Sequence, residues 1–208
     1  MRILVFGDSI SFGAADPNGG WVQKLGKFLY GKTTKGNDDY QVYNLGISAD
    51  SSIEILKRFE SETIARERGP ERTMIIFAFG TNDAQSFSNG SLRTSTEEFG
   101  SNVRKLIELA RKYSSTVIFL GVLPVDEEKL NPMPWHPEVS VLSEHVSRND
   151  AIIKEVCREN KIPFIDVHSK FLKLDYKSLL EDGLHPNAKG HKKVFSIVKG
   201  FLVRKKLV

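Results

Sequence analysis

Ser9 stands in Gly7-Asp8-Ser9-Ile10-Ser11, directly after the first apolar run of the chain. A serine hydroxyl is a poor nucleophile until a base takes its proton, and a tight turn at a strand end can expose it with its own backbone N–H facing a reacting carbonyl. Gly7 permits such a turn. The same three residue types also serve any ordinary strand-to-helix turn or N-cap, so the motif alone leaves both readings open. Far along the chain, Asp182-Gly183-Leu184-His185-Pro186-Asn187 sets a carboxylate and an imidazole three residues apart. One irregular turn could bring them together, with the carboxylate accepting the Nδ1 proton, fixing the tautomer and stabilising the imidazolium. Pro186 is expected to open the last helix at its first position. A turn bearing a surface histidine is the plain alternative. Metal binding by Asp182, His185 and His191 is a third, although these lack a recognised ligand spacing.

Two further motifs lie between these ends, Asn44-Leu45-Gly46-Ile47-Ser48 and Gly80-Thr81-Asn82-Asp83. Acyl transfer generates an oxyanion, and each donor aimed at it contributes about 3–4 kcal/mol of transition-state stabilisation in a dry site. A glycine offers a backbone N–H that a substrate can approach closely, and an asparagine side chain offers two uncharged donors. Either motif alone is turn chemistry; four together, each after a predicted strand, suggest one site.

The elements that would position them are legible as an alternation. β-branched or aromatic runs at 3–6, 41–45, 73–79, 116–121 and 163–167 predict buried strands. Helical spacing appears between them in Trp21, Val22, Leu25, Phe28 and Leu29; in Ile53, Leu56, Phe59 and Ile64; and in Phe99, Val103, Leu106, Ile107 and Ala110. A fourth helix is expected to carry Val141, Leu142, Ile152, Ile153 and Val156, and a fifth to run from Ala188 to Phe201. Continuous apolar strands alternating with helices predict an α/β fold: a three-layer α/β/α sandwich, flavodoxin-like, with a five-stranded mostly parallel sheet. In such sheets function collects at the carboxyl ends of the strands. With no repeat and no linker, the whole chain, 1–208, reads as a single domain. Loops are expected at 31–39, 85–95 and 122–137, and the last, rich in proline with Met133, Trp135 and His136, either walls a substrate pocket or packs on the domain edge.

In order and spacing these blocks resemble those of the SGNH hydrolases, a subgroup of the GDSL esterase and lipase family, over nearly the whole chain. The resemblance rests on Gly7-Asp8-Ser9-Ile10, Gly46, Gly80-Thr81-Asn82-Asp83 and Asp182-Gly183-Leu184-His185-Pro186. It implies Ser9 as nucleophile, His185 as base and Asp182 as its orienter. The oxyanion hole would be formed by the N–H groups of Ser9 and Gly46 with the side chain of Asn82. Two departures stand out. Ile10 replaces the usual leucine, a swap of similar volume, and Ala49 occupies a position where many members have a second glycine, which bears on the size of substrate admitted.

Composition sets bounds on this reading. With 40% hydrophobic and 27% charged residues the chain is ordinary for a globular protein. Its net charge of +4 is spread along the chain, apart from Arg204, Lys205 and Lys206 at the end, so no nucleic-acid partner is expected. No apolar run approaches the ~20 residues of a membrane span, so no stable membrane insertion is expected. The lone Cys157 and an N-terminus that reads as a strand point to the cytoplasm. His145, His168, Cys157 and His136 are expected to be structural or filler residues. Asp8 and Asp83 are expected to brace their loops as Asx turns do. The expectation is therefore a serine-dependent acyl-ester hydrolase needing no metal or other cofactor, acting on a small-molecule ester of small to medium acyl length. Acyl transfer to an alcohol on the same scaffold, or ligand binding without catalysis, are the alternatives.

Overall fold

The computed structural model describes residues 1–33 and 39–208. Most of the loop expected at 31–39 thus lies outside the described residues. The strands in chain order are β1 (Arg2–Gly7), β2 (Gln41–Gly46), β3 (Thr73–Ala78), β4 (Gln85–Phe87), β5 (Thr116–Leu120), β6 (Val139–Val141) and β7 (Phe164–Ile165). Five of them form one wholly parallel sheet in the order β2-β1-β3-β5-β7, the flavodoxin-like arrangement expected. The helices are α1 (Ser9–Phe12), α2 (Gly20–Thr33), α3 (Ser52–Ile64), α4 (Thr96–Ala110), α5 (Ser143–Glu159), α6 (His168–Leu172) and α7 (Ala188–Arg204). α2 packs on α7, whereas α3, α4 and α5 pack in succession.

Consecutive residues of the central strands are buried: Ile3, Leu4, Val5 and Phe6 in β1, and Met74, Ile75, Ile76 and Phe77 in β3. Because neighbours in a strand point to opposite faces, burial of both parities means that both faces are covered, which is why these strands read as unbroken apolar runs. Phe6, Phe77 and Phe119 are in register across β1, β3 and β5. Their rings stack at 5.8 and 4.8 Å between centroids, with Phe59 of α3 at 5.0 Å from Phe6. This aromatic row ties α3 to the sheet just beneath the strand ends that carry the candidate site.

Three expectations are corrected. Val141 belongs to β6, not to a helix, and Leu142 is the residue before α5. β6 pairs antiparallel with β4, Gln85 opposite Val141, so a small two-stranded sheet begins where the loop at 85–95 was expected. Pro186 does not open the last helix. Asn187 caps it, its Oδ1 accepting from the N–H groups of Lys189 and Gly190 (3.1 Å each), and Pro186 lies one residue outside.

Candidate active site

Ser9 is the first residue of α1, immediately past β1. The turn needs a glycine before it: a Cβ on Gly7 would lie 2.2 Å from Ser11 Oγ and 2.4 Å from Ala78 O. Asp8 caps α1, its Oδ1 accepting from Ile10 N–H at 2.9 Å. The Ser9 side chain therefore projects from a rigid, capped turn, at the carboxyl end of the sheet where open α/β folds place their ligands.

The second component arrives from the loop before α7. Glu181 N–H donates to His185 O at 2.8 Å, closing a turn from 181 to 185, and Gly183 O accepts from Asp126 N–H at 2.8 Å. Within this turn Asp182 Oδ1 accepts from the backbone N–H groups of Leu184 (3.0 Å) and His185 (2.8 Å), while its Oδ2 lies 2.7 Å from His185 Nδ1. Burial pushes the Asp182 carboxyl up, but the hydrogen bonds from the His185 side chain and the two backbone N–H groups outweigh it and hold the group down at about 2. An ionised carboxylate only accepts, so Nδ1 carries the proton and Nε2 presents a lone pair. That lone pair faces Ser9 Oγ at 2.9 Å. Ser9, His185 and Asp182, brought together across 176 residues, form a continuous chain from hydroxyl to imidazole to carboxylate. Such a chain can draw a proton from the serine and store it as an imidazolium.

Asn82 follows β3 and lies on the same cavity as Ser9. Its Nδ2 donates to Asp50 O at 2.9 Å and its Oδ1 accepts from Gln85 Nε2 at 3.1 Å, leaving one Nδ2 hydrogen for the cavity. Gly46, expected to aim its N–H at a reacting carbonyl, does otherwise: it donates to Asn44 Oδ1 at 3.0 Å within its own loop and is not among the residues lining the cavity. Its lack of a side chain serves packing, since a Cβ there would lie 2.4 Å from Phe12 N and 2.8 Å from Asp8 O, against the turn that carries Ser9. The cavity is reached instead by Ser48 and Ala49. Ala49 is left-handed, with φ 68°, and its N–H has no partner among the described residues. The sequence marked Ala49 as a departure from the family pattern, but its left-handed backbone was not visible there.

The cavity measures about 490 Å³. Phe87, Met133, Trp135, Val139 and Leu184 make an apolar wall, so the loop at 122–137 and the β4–β6 pair together shape it. The Trp135 ring lies 6.3 Å from that of His185. His136, expected as filler, also lines the cavity and lies 3.4 Å from Glu138. Asp8 and Asp83 brace loops as expected. Burial pushes the Asp8 carboxyl up to about 7, with Asp83 adding to the rise against the opposing pull of Ile10 N–H and His185. Asp83 receives Ser52 N–H and Oγ–H and so ties the start of α3 to the turn after β3. His168 and Cys157 are buried outside the cavity, and burial pushes the Cys157 thiol up to about 12. His191, the third candidate metal ligand, is instead buried between Trp21 N–H (3.3 Å to Nδ1) and Ala14 O (2.9 Å from Nε2). Among the described residues no group of three or more His, Cys, Asp or Glu side chains could hold a metal ion.

Comparison with known proteins places this geometry. The model of the GDSL-like Lipase/Acylhydrolase family matches residues 5–193. The isoamyl acetate-hydrolyzing esterase of Saccharomyces cerevisiae is 28% identical over 209 residues, covering 92% of this chain and 81% of that protein. The uncharacterized lipoprotein YqeF of Bacillus subtilis is 25% identical over 160 residues, and the match spans 63% of its length. Among solved structures, a lipase/acylhydrolase from Enterococcus faecalis superposes with a TM-score of 0.75 at 20% identity, covering 97% of this chain and 94% of that one. An acetyl xylan esterase from Geobacillus stearothermophilus does so with a TM-score of 0.73 at 18% identity, covering 97% and 92%. At these identities the structures speak to the fold.

Proposed function

Because the chain belongs to the GDSL-like lipase/acylhydrolase family, we propose that it hydrolyses carboxylic esters through an acyl-enzyme on Ser9. The observation that carries this reading is the chain of hydrogen bonds opening on the cavity, 2.9 Å from Ser9 Oγ to His185 Nε2 and 2.7 Å from His185 Nδ1 to Asp182. Ser9 Oγ attacks the ester carbonyl as His185 Nε2 takes its proton. The oxyanion is received by the N–H groups of Ser9 and Ala49 and by the free Nδ2 hydrogen of Asn82. Ala49 takes the place first expected of Gly46, whose N–H is engaged elsewhere. The imidazolium then gives its proton to the departing alcohol, and a water activated by the same histidine releases the acid and restores Ser9.

The substrate in this reading is a small-molecule ester with a short acyl group. The wall of Phe87, Met133, Trp135, Val139 and Leu184 favours apolar substituents in a cavity of about 490 Å³. Two of the proteins it resembles, the isoamyl acetate-hydrolyzing esterase in sequence and the acetyl xylan esterase in fold, lean the same way toward acetyl esters. A single domain and a cytoplasmic location complete the reading. Support for the location is the buried, unpaired Cys157; no helix of the described residues is long and apolar enough to cross a membrane.

The test is hydrolysis of p-nitrophenyl esters from acetate to dodecanoate by the wild type and Ser9→Ala. The expected outcome is turnover that is highest for the shortest acyl groups and lost in the variant. Full turnover by Ser9→Ala would overturn the mechanism, and a profile flat in chain length would overturn the substrate class.

A further inference from the structure

Arg93 lines the cavity from the segment that returns from β4, its backbone N–H donating to Gln85 O at 2.8 Å. Its guanidinium makes three contacts and none is with the reacting residues. Nη1 donates to Gln85 Oε1 at 3.1 Å; Nη2 donates to Ala49 O at 2.8 Å and lies 3.3 Å from Glu54 Oε2.

The direction of these bonds matters. A guanidinium can only donate, so the Gln85 atom that meets it must be the carbonyl oxygen. The Gln85 amide nitrogen is then turned toward Asn82, where it donates to Oδ1 at 3.1 Å. Asn82 in turn must present its nitrogen to Asp50 O, at 2.9 Å, and to the cavity. One unambiguous donor thus sets the orientation of two amides that could otherwise be flipped. The same guanidinium holds the carbonyl of Ala49, the left-handed residue whose N–H is unpartnered. Glu54 completes the arrangement, because it also accepts from Ser51 N–H (2.9 Å) and Ser51 Oγ–H (2.6 Å) at the start of α3, fixing the far side of the loop.

We propose that Arg93 is a positioning residue for both auxiliary oxyanion donors: it orients the Asn82 amide through Gln85, and by holding the Ala49 carbonyl, one peptide unit on from the Ala49 N–H, it fixes the left-handed turn that carries that N–H. The proposal rests on the reading that these two groups receive the oxyanion. Arg93 acts through other residues, so its removal lowers the stabilisation of a charge that exists only in the transition state and leaves ground-state binding nearly unchanged.

The experiment is steady-state kinetics on p-nitrophenyl acetate for wild type, Arg93→Met, Gln85→Glu, Asn82→Ala and the Arg93→Met/Asn82→Ala double variant, each checked by thermal melting. Loss of one oxyanion donor lowers kcat by about 10²–10³-fold, and loss of its orientation is expected to cost less, about 10–100-fold. Arg93→Met should therefore lower kcat by that factor with KM held within about threefold, and its effect should shrink in the Asn82→Ala background, where only the Ala49 contact is left to lose. Gln85→Glu provides a second route should Arg93→Met fail to fold. A glutamate still accepts from Arg93 but has no hydrogen for Asn82 Oδ1, and a comparable loss in kcat is expected. Unchanged kcat in both Arg93→Met and Gln85→Glu, a loss confined to KM, or full additivity with Asn82→Ala overturns the positioning role. Full turnover by Asn82→Ala would instead overturn the oxyanion reading beneath it.

Discussion

Replacing Asp182 by asparagine should disable the enzyme through a proton on the wrong nitrogen, while leaving the fold nearly untouched. Asp182 Oδ1 accepts two backbone N–H groups, from Leu184 and His185, and only an oxygen can do so. In Asp182→Asn that position keeps the amide oxygen, which forces Nδ2 into the place of Oδ2, 2.7 Å from His185 Nδ1. An amide N–H facing Nδ1 favours the tautomer with its proton on Nε2, and that proton then points at Ser9 Oγ, where a lone pair is needed. In a serine triad of this kind the wrong tautomer costs about 10⁴ in kcat, or about 5 kcal/mol. The two N–H bonds survive, so the melting temperature at neutral pH should fall by no more than a few degrees. The charge effect can be read separately. The carboxyl is held at about 2 against an ordinary 3.8, so the wild type gains stability that is fully present above pH ~4 and is lost as pH falls toward 2. The side chain is a third exposed, so solvent screening reduces this to ~1–2 kcal/mol. The assay is kcat on p-nitrophenyl acetate at neutral pH beside thermal melts from pH 2 to 7. Asp182→Asn activity within tenfold of wild type would refute the tautomer argument.

Other outcomes follow from the same geometry. Asp8 has its carboxyl raised by burial to about 7, so its own contribution to stability is complete below the ordinary carboxylate range and is lost as pH rises from about 4 through 7, by ~4 kcal/mol at most. Melts of Asp8→Asn, which keeps an acceptor for Ile10 N–H, should be flatter over that window, and an identical pH profile would count against the buried carboxyl. His191 accepts Trp21 N–H and donates to Ala14 O, which requires the neutral ring, and burial lowers its pKa from the usual 6.5. Its contribution is therefore complete above pH ~6.5 and is lost as pH falls through the lower folded value, and His191→Gln should remove that part of the acid sensitivity in urea titrations. Gly46→Ala should destabilise by ~1–3 kcal/mol or more, because its Cβ meets backbone at 2.4 Å. Ala49→Gly, relieving a left-handed non-glycine residue, should keep its activity. Equal behaviour of the two variants would contradict the different places assigned to them.

The sheet and the Asp182–His185 turn were legible in the chain because both rest on local signals, whereas the link from that turn to Ser9, 176 residues away, was implied only by the family resemblance. Buried parallel strands read as apolar runs such as 3–6 and 73–79, and the Asp182–His185 pair lies within one turn. What escaped depends on tertiary placement. Val141 is apolar and adjoins a helical pattern, yet it is a strand residue because Gln85 lies opposite it. Gly46 looked like a donor because glycine exposes its N–H, but Asn44 two residues earlier captures that group. Arg93 sits in a loop without periodicity, and nothing local distinguishes it from the other arginines. Its role comes from Gln85, Ala49 and Glu54, which only the fold assembles.

The central claim is that Ser9 is the activated nucleophile. Labelling of the folded protein with a fluorophosphonate, followed by peptide mass spectrometry, tests it most directly. A single adduct on the peptide containing Ser9, absent from Ser9→Ala and greatly slowed in His185→Ala, is the predicted result. A folded wild type that stays unlabelled, or that carries the adduct on another residue, would contradict it.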